Sequence, residues 1–80
     1  MDINKYLIGN VIFDSDYLYF VLKERKSKTV IISVRNKKSN VELGEIKWYP
    51  QWRQYCYFPN IQAVHSFSCL QDIMDCIEEF

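Results

Sequence analysis

The stretch Val41-Glu42-Leu43-Gly44-Glu45-Ile46-Lys47-Trp48-Tyr49-Pro50-Gln51-Trp52-Arg53-Gln54-Tyr55-Cys56-Tyr57-Phe58 reads as two strands joined by a tight turn. Apolar residues alternate along it, the signature of a half-buried strand. Val41 and Leu43 share one face, whereas Ile46 and Trp48 fall on the other. Gly44 sits at this change of phase, where a glycine admits a β-bulge that restores the register. Tyr49-Pro50-Gln51-Trp52 supplies the turn, with Pro50 at a position that tolerates its fixed φ. A second strand then runs from Gln54 to Phe58 and is closed by Pro59-Asn60.

Upstream, the same pattern repeats. Thr29 to Arg35 alternates, with Val30, Ile32 and Val34 expected to face in and Ile31, Ser33 and Arg35 to face out. Arg25-Lys26-Ser27-Lys28 precedes it as a polar hairpin loop, and Asn36-Lys37-Lys38-Ser39-Asn40 follows as another. Tyr17 to Glu24 is apolar on both sides, with Leu18, Phe20 and Leu22 opposite Tyr17, Tyr19 and Val21. That composition suits a central strand. Tyr6 to Phe13 is expected to form a first strand, ending at the turn cluster Asp14-Ser15-Asp16.

Downstream, Ala63 to Phe67 reads as either a fifth strand or an extended lead-in. Ser68-Cys69-Leu70-Gln71 fits a capping box, which predicts a helix beginning near Ser68. Leu70, Ile73, Met74 and Ile77 follow at i, i+3, i+4 and i+7, the spacing of an apolar helix stripe. We expect Leu70, Ile73 and Ile77 to pack on Phe20, Ile32 or Val34. The expected architecture is α+β: an antiparallel sheet of four to five strands with one C-terminal helix on one face. Its other face should carry many of the tyrosines and basic residues.

The chain has 80 residues, which suits a single domain spanning 1–80. Half of it is hydrophobic, at 49%, so it has the material for a core and does not read as disordered. No apolar run approaches the ~18 residues of a membrane span, and no signal peptide opens the chain. The three cysteines, Cys56, Cys69 and Cys76, lack the even count and spacing of a disulfide framework, so they read as free thiols in a reducing cytoplasm.

Ten basic residues balance ten acidic ones, but unevenly along the chain. Residues 23–38 hold seven basic side chains, Lys23, Arg25, Lys26, Lys28, Arg35, Lys37 and Lys38, against Glu24 alone. The C-terminal helix carries Asp72, Asp75, Glu78 and Glu79. Such segregation describes either solvated loops and a solvated helix face or a dipolar docking surface. Catalytic candidates are few. His65 is the only histidine, no phosphate-cradling glycine loop or nucleophile elbow occurs, and Asp14 and Asp16 read as turn formers. The chain is therefore expected to be no enzyme and to use no metal or other cofactor.

Residues 48–58 contain six aromatics. They read as core filling, as a protein-binding hot spot, or as a stacking platform for bases. We take Tyr49, Trp52 and Arg53 as candidate protein contacts, because a turn normally carries small polar residues. The seven basic residues are the alternative, nucleic-acid surface. A homodimer is compatible with either reading.

Leu43-Gly44-Glu45-Ile46-Lys47-Trp48-Tyr49, then Trp52-Arg53-Gln54-Tyr55-Cys56-Tyr57-Phe58-Pro59, then Cys69-Leu70-Gln71-Asp72-Ile73, resembles a family of small proteins encoded by bacterial phages and other mobile elements. The resemblance covers roughly the C-terminal half, and Pro50 departs from a glycine in that family's turn. It implies expression in a bacterial host's cytoplasm. By analogy with other small proteins of such origin, it implies a non-enzymatic role in binding and inhibiting or redirecting a host protein, defence nucleases included. The alternative remains a nucleic-acid-binding accessory protein.

Overall fold

Every second residue of Leu18–Arg25 is fully buried as far as Leu22, and Val30, Ile32 and Val34 are buried opposite them. This alternation places one face of the sheet in the core. In the computed structural model, which describes residues 2–79, five strands pair in simple antiparallel sequence, β1-β2-β3-β4-β5. They are β1 (Val11–Asp14), β2 (Leu18–Arg25), β3 (Val30–Asn36), β4 (Glu42–Tyr49) and β5 (Gln54–Pro59), followed by helix α1 (Phe67–Glu78). The expected α+β architecture holds, with α1 lying against β5.

Several local expectations change. Tyr6 to Asn10 is not strand: Gly9 adopts φ +96°, and Asn10 accepts the Leu7 N–H at 3.0 Å, which bends the chain before β1. Ahead of this bend, Ile3–Lys5 forms a short 3-10 turn, and Ile3 packs against the core. Arg25 fastens this segment by donating to the carbonyls of Ile3 and Tyr6 at 3.1 and 2.7 Å. The bulge in β4 falls at Leu43, beside Gly44: Val34 pairs with Gly44, but Arg35 pairs with Glu42. Leu43 is thereby left to pack against the core.

Residues 63–66 carry no regular structure. They are held by Tyr57, whose hydroxyl shares a 2.6 Å hydrogen bond with His65 Nε2. The helix cap is Ser66 rather than Ser68. Ser66 Oγ accepts the Cys69 N–H at 3.2 Å, while Ser68 lies in the first turn with its hydroxyl 3.0 Å from that of Ser66.

The helix also presents a different side to the sheet. Ile73 and Cys76 are buried, with Cys69 and Ile77 partly so, all against a cluster that includes Phe20, Ile32 and Val34. Leu70 and Met74, expected inside, are 45% and 53% exposed. The thiols at 69 and 76 serve there as small apolar side chains beside Ile73 and Ile77.

Candidate binding surface

The β4–β5 turn closes one end of the sheet. Its backbone is fixed by Trp52 N–H donating to the Tyr49 carbonyl at 3.1 Å and Arg53 N–H to that of Pro50 at 3.3 Å. Arg53 occupies the left-handed region, φ +53°, at the turn position where glycine or asparagine is usual. For a residue with a Cβ that conformation costs about 1–2 kcal/mol. Trp52 is 66% exposed, and Arg53 is exposed beside it. The indole is nevertheless held in place, because the half-buried Tyr49 ring meets it edge-on at 5.0 Å and meets Phe58 at 5.9 Å on the other side. Tyr49, Trp52 and Arg53 therefore come together.

The two tryptophans serve opposite faces. Trp48 follows the core residue Ile46 by two and meets Tyr55 edge-on at 5.5 Å. Around this pair the surface is hollowed. One depression of about 280 Å³ is lined by Lys28, Thr29, Trp48 and Tyr55. Another of about 330 Å³ is lined by Trp48, Arg53, Gln54, Tyr55 and Ile77. Lys26 and Lys28 make no ion pair among the described residues.

The basic residues of 23–38 do not form one patch. The β2–β3 loop carries Lys26 and Lys28 to the same end as Trp48, whereas Lys37 and Lys38 lie in the β3–β4 turn at the opposite end. Lys37 pairs with Asp14 at 3.3 Å, and Arg25 is committed to the N-terminal segment. Arg35 donates to the Asn40 carbonyl at 2.7 Å.

Lys23 belongs to a network on the open face of the sheet. It contacts Glu42 at 3.0 Å and Glu45 at 2.7 Å. Ser33, expected outside, is buried beneath these side chains and donates to Glu42 at 2.7 Å. Ile31 is also covered, on the same face.

Burial pushes the Glu42 carboxyl up. The hydrogen bonds from Ser33 and Lys23 and the charges of Lys23 and Arg35 outweigh burial and hold it below its ordinary value. A depressed carboxyl stabilises the fold above its unfolded-state value and loses that contribution as pH falls through its folded value. We expect Glu42→Gln to reduce the steepness of acid unfolding below pH ~4.5, the ordinary carboxyl range. Acid titrations followed by circular dichroism check this; identical acid limbs for the two proteins would remove the network's role.

The remaining candidates separate. On α1, Asp75, Glu78 and Glu79 are exposed and Asp72 is half-buried, and none of the four belongs to the turn at residues 49–53. His65 contacts Tyr57, whose phenol is pushed up to about 12, chiefly by burial and further by negative charge at Cys69 and Glu42. Burial likewise pushes the Cys76 thiol up to about 12, and all three cysteines are free. Among the described residues, no three His, Cys, Asp or Glu side chains converge to hold a metal ion. Nor is any helix among them long and apolar enough to cross a membrane.

Sequence pattern identified the turn and its aromatics. It missed Trp48, Tyr55 and the free Lys26 and Lys28 as neighbours, because they meet only once β2–β3 and β4–β5 lie side by side. Fold and surface together define a small α+β domain with one face covered by a helix and an aromatic, cationic end. The chain is 35% identical over 66 residues to an uncharacterized 9.3 kDa protein of Acholeplasma phage L2, a match spanning 81% of this chain and 85% of that protein. It belongs to that family of small phage proteins. No family model matches the chain, and no solved structure matches it.

Proposed function

We propose that this protein is a non-enzymatic binding module that acts in the cytoplasm of the phage's bacterial host. It engages a host protein through Tyr49, Trp52 and Arg53 and inhibits or redirects it, in the manner of an anti-defence (anti-CRISPR-like) inhibitor. The observation that carries this reading is Trp52, 66% exposed yet braced edge-on by Tyr49. An indole in water gains nothing for the fold, and rigid Trp, Tyr and Arg are the residues that dominate protein interfaces. The strained backbone at Arg53 supports the same reading, since strain concentrates where a side chain must be presented in a set direction.

Trp52→Ala combined with Arg53→Ala is expected to abolish capture of the host partner from lysate while leaving the far-ultraviolet circular dichroism unchanged. A folded double variant that captures the same partner as the wild type would exclude the turn.

A second reading rests on the unpaired Lys26 and Lys28 beside the Trp48–Tyr55 depression, where a base stacks and two ammonium groups meet phosphates. Binding to single-stranded DNA with an affinity that falls with salt, at a slope of about 0.7 per phosphate contact, favours this reading. No binding at low salt eliminates it.

A further inference from the structure

We propose that the outer side of α1 docks a cationic amphipathic helix of a partner protein. The stripe that carries this surface contains none of Tyr49, Trp52 and Arg53, and the inference stands or falls independently of the proposed role of that turn. Phe67, Leu70 and Met74 recur at i, i+3 and i+7 on one stripe of the helix and are 86%, 45% and 53% exposed. The core-facing stripe of the same helix is complete without them, because Ile73 and Cys76 are buried. Ile61 and Val64, in the segment that enters the helix, are 100% and 88% exposed. A run of large apolar side chains left in water is the mark of a docking surface rather than of folding.

The charge beside this stripe says what covers it. Glu78 follows Met74 by one turn at the border of the apolar stripe, with Asp75 beside it at i−3, whereas the half-buried Asp72 lies on the far side of the helix. None of the three makes an ion pair among the described residues, and Asp75 is met only by the Gln71 amide at 3.0 Å. Asp75 and Glu78 occupy the C-terminal half of the helix, where the macrodipole already places negative charge, and the last turn holds no basic residue to offset them. A partner with an apolar stripe flanked by lysine or arginine relieves both the exposed apolar side chains and the unopposed carboxylates; this is the helix-in-groove mode of recognition. A second copy of the chain fits less well. A two-fold contact centred on Leu70 and Met74 brings the same acidic border from both copies to one rim. Nucleic acid is repelled outright.

The test uses the intact protein and a fluorescein-labelled Leu/Lys amphipathic helical peptide of about 18 residues, five helical turns, followed by anisotropy. The expected dissociation constant is on the order of micromolar, the affinity of a modest interface without optimised anchors. Leu70→Lys with Met74→Lys is expected to weaken binding about tenfold or more, as the loss of central anchors does. Asp75→Lys with Glu78→Lys should also weaken it and flatten its dependence on salt between ~50 and ~500 mM, the range over which exposed charges become screened. Trp52→Ala with Arg53→Ala should leave it unchanged, and a Leu/Glu peptide of the same pattern should not bind. Three results would overturn the proposal. One is equal affinity of the Leu70/Met74 variant and the wild type, which reduces the contact to bulk charge. Another is no binding at low salt. The third is a wild-type dimer in sedimentation that this variant abolishes, which assigns the face to a second copy.

Discussion

Ile73→Ala is expected to lower stability by about 2–5 kcal/mol, the range for truncating a buried isoleucine. The side chain is 2% exposed, and it is one of only two fully buried residues on α1, the other being Cys76. Helix docking rests on this narrow footing, with Cys69 and Ile77 partly buried at its edges. A domain of this size has a total stability of roughly 4–12 kcal/mol, from 0.05–0.15 kcal/mol per residue. One truncation therefore removes a large share of it, and α1 is the element that lifts off first. Leu70→Ala, one turn earlier on the exposed stripe, should change stability by no more than about 0.5 kcal/mol. The two urea midpoints, compared side by side, decide the rotation of the helix. Equal losses would mean that Leu70 is buried as well; a neutral Ile73→Ala would detach the helix from the core.

Those two positions also show what the sequence encodes and what it leaves open. The alternation in β2 and β3 was legible because a strand has only two sides. Leu18, Phe20 and Leu22 must share one of them, and Val30, Ile32 and Val34 must meet them. A helix offers more choice. Around α1 both 69/73/76/77 and 67/70/74 are apolar, and a ranking by hydrophobicity favours leucine and methionine over cysteine. Packing placed the cysteine-bearing side, with Ile73 and Ile77, against the sheet. No periodicity carries that information.

The basic segment failed to read true for a different reason. A count along residues 23–38 cannot see that β3 separates its two ends, nor that Glu42, Glu45 and Asp14, from other strands, neutralise Lys23 and Lys37. Ser33 was misplaced by the same blindness. It does lie on the open face, but the long side chains that cover it come from β2 and β4. The turn at residues 49–53 was legible from Pro50 and its flanking strands, whereas the exposure of Trp52 was not, since a large ring is usually core.

Gly44→Val is expected to be as damaging as any core truncation, because it fills space that the fold already uses. A Cβ at position 44 would lie 2.6 Å from the Phe58 carbonyl oxygen, 2.6 Å from the Tyr57 hydroxyl oxygen and 2.7 Å from the ring carbon that bears it. The first of these is backbone, fixed by the β4–β5 ladder that pairs Gly44 with Pro59 and Glu45 with Phe58. The ring cannot simply swing aside, since its hydroxyl holds His65 at 2.6 Å and so anchors the segment that leads into α1. Either the edge strand moves or that anchor is lost. Overpacking of this kind typically costs about 1–3 kcal/mol for a single added group; alanine should fall in that range, and valine, with two further methyls, at or above its top. Removing the ring tests the route by which the damage travels. Tyr57→Ala by itself loses the His65 contact and should destabilise. In the Gly44→Ala background, however, it should cost less than it does alone, because the obstructing ring is already displaced, and the two losses should fall short of additivity by about 0.5 kcal/mol or more. Strict additivity in urea midpoints would leave the Phe58 carbonyl as the only obstacle, and a neutral Gly44→Ala would mean that β4 and the Tyr57 ring do not approach as closely as the structure places them.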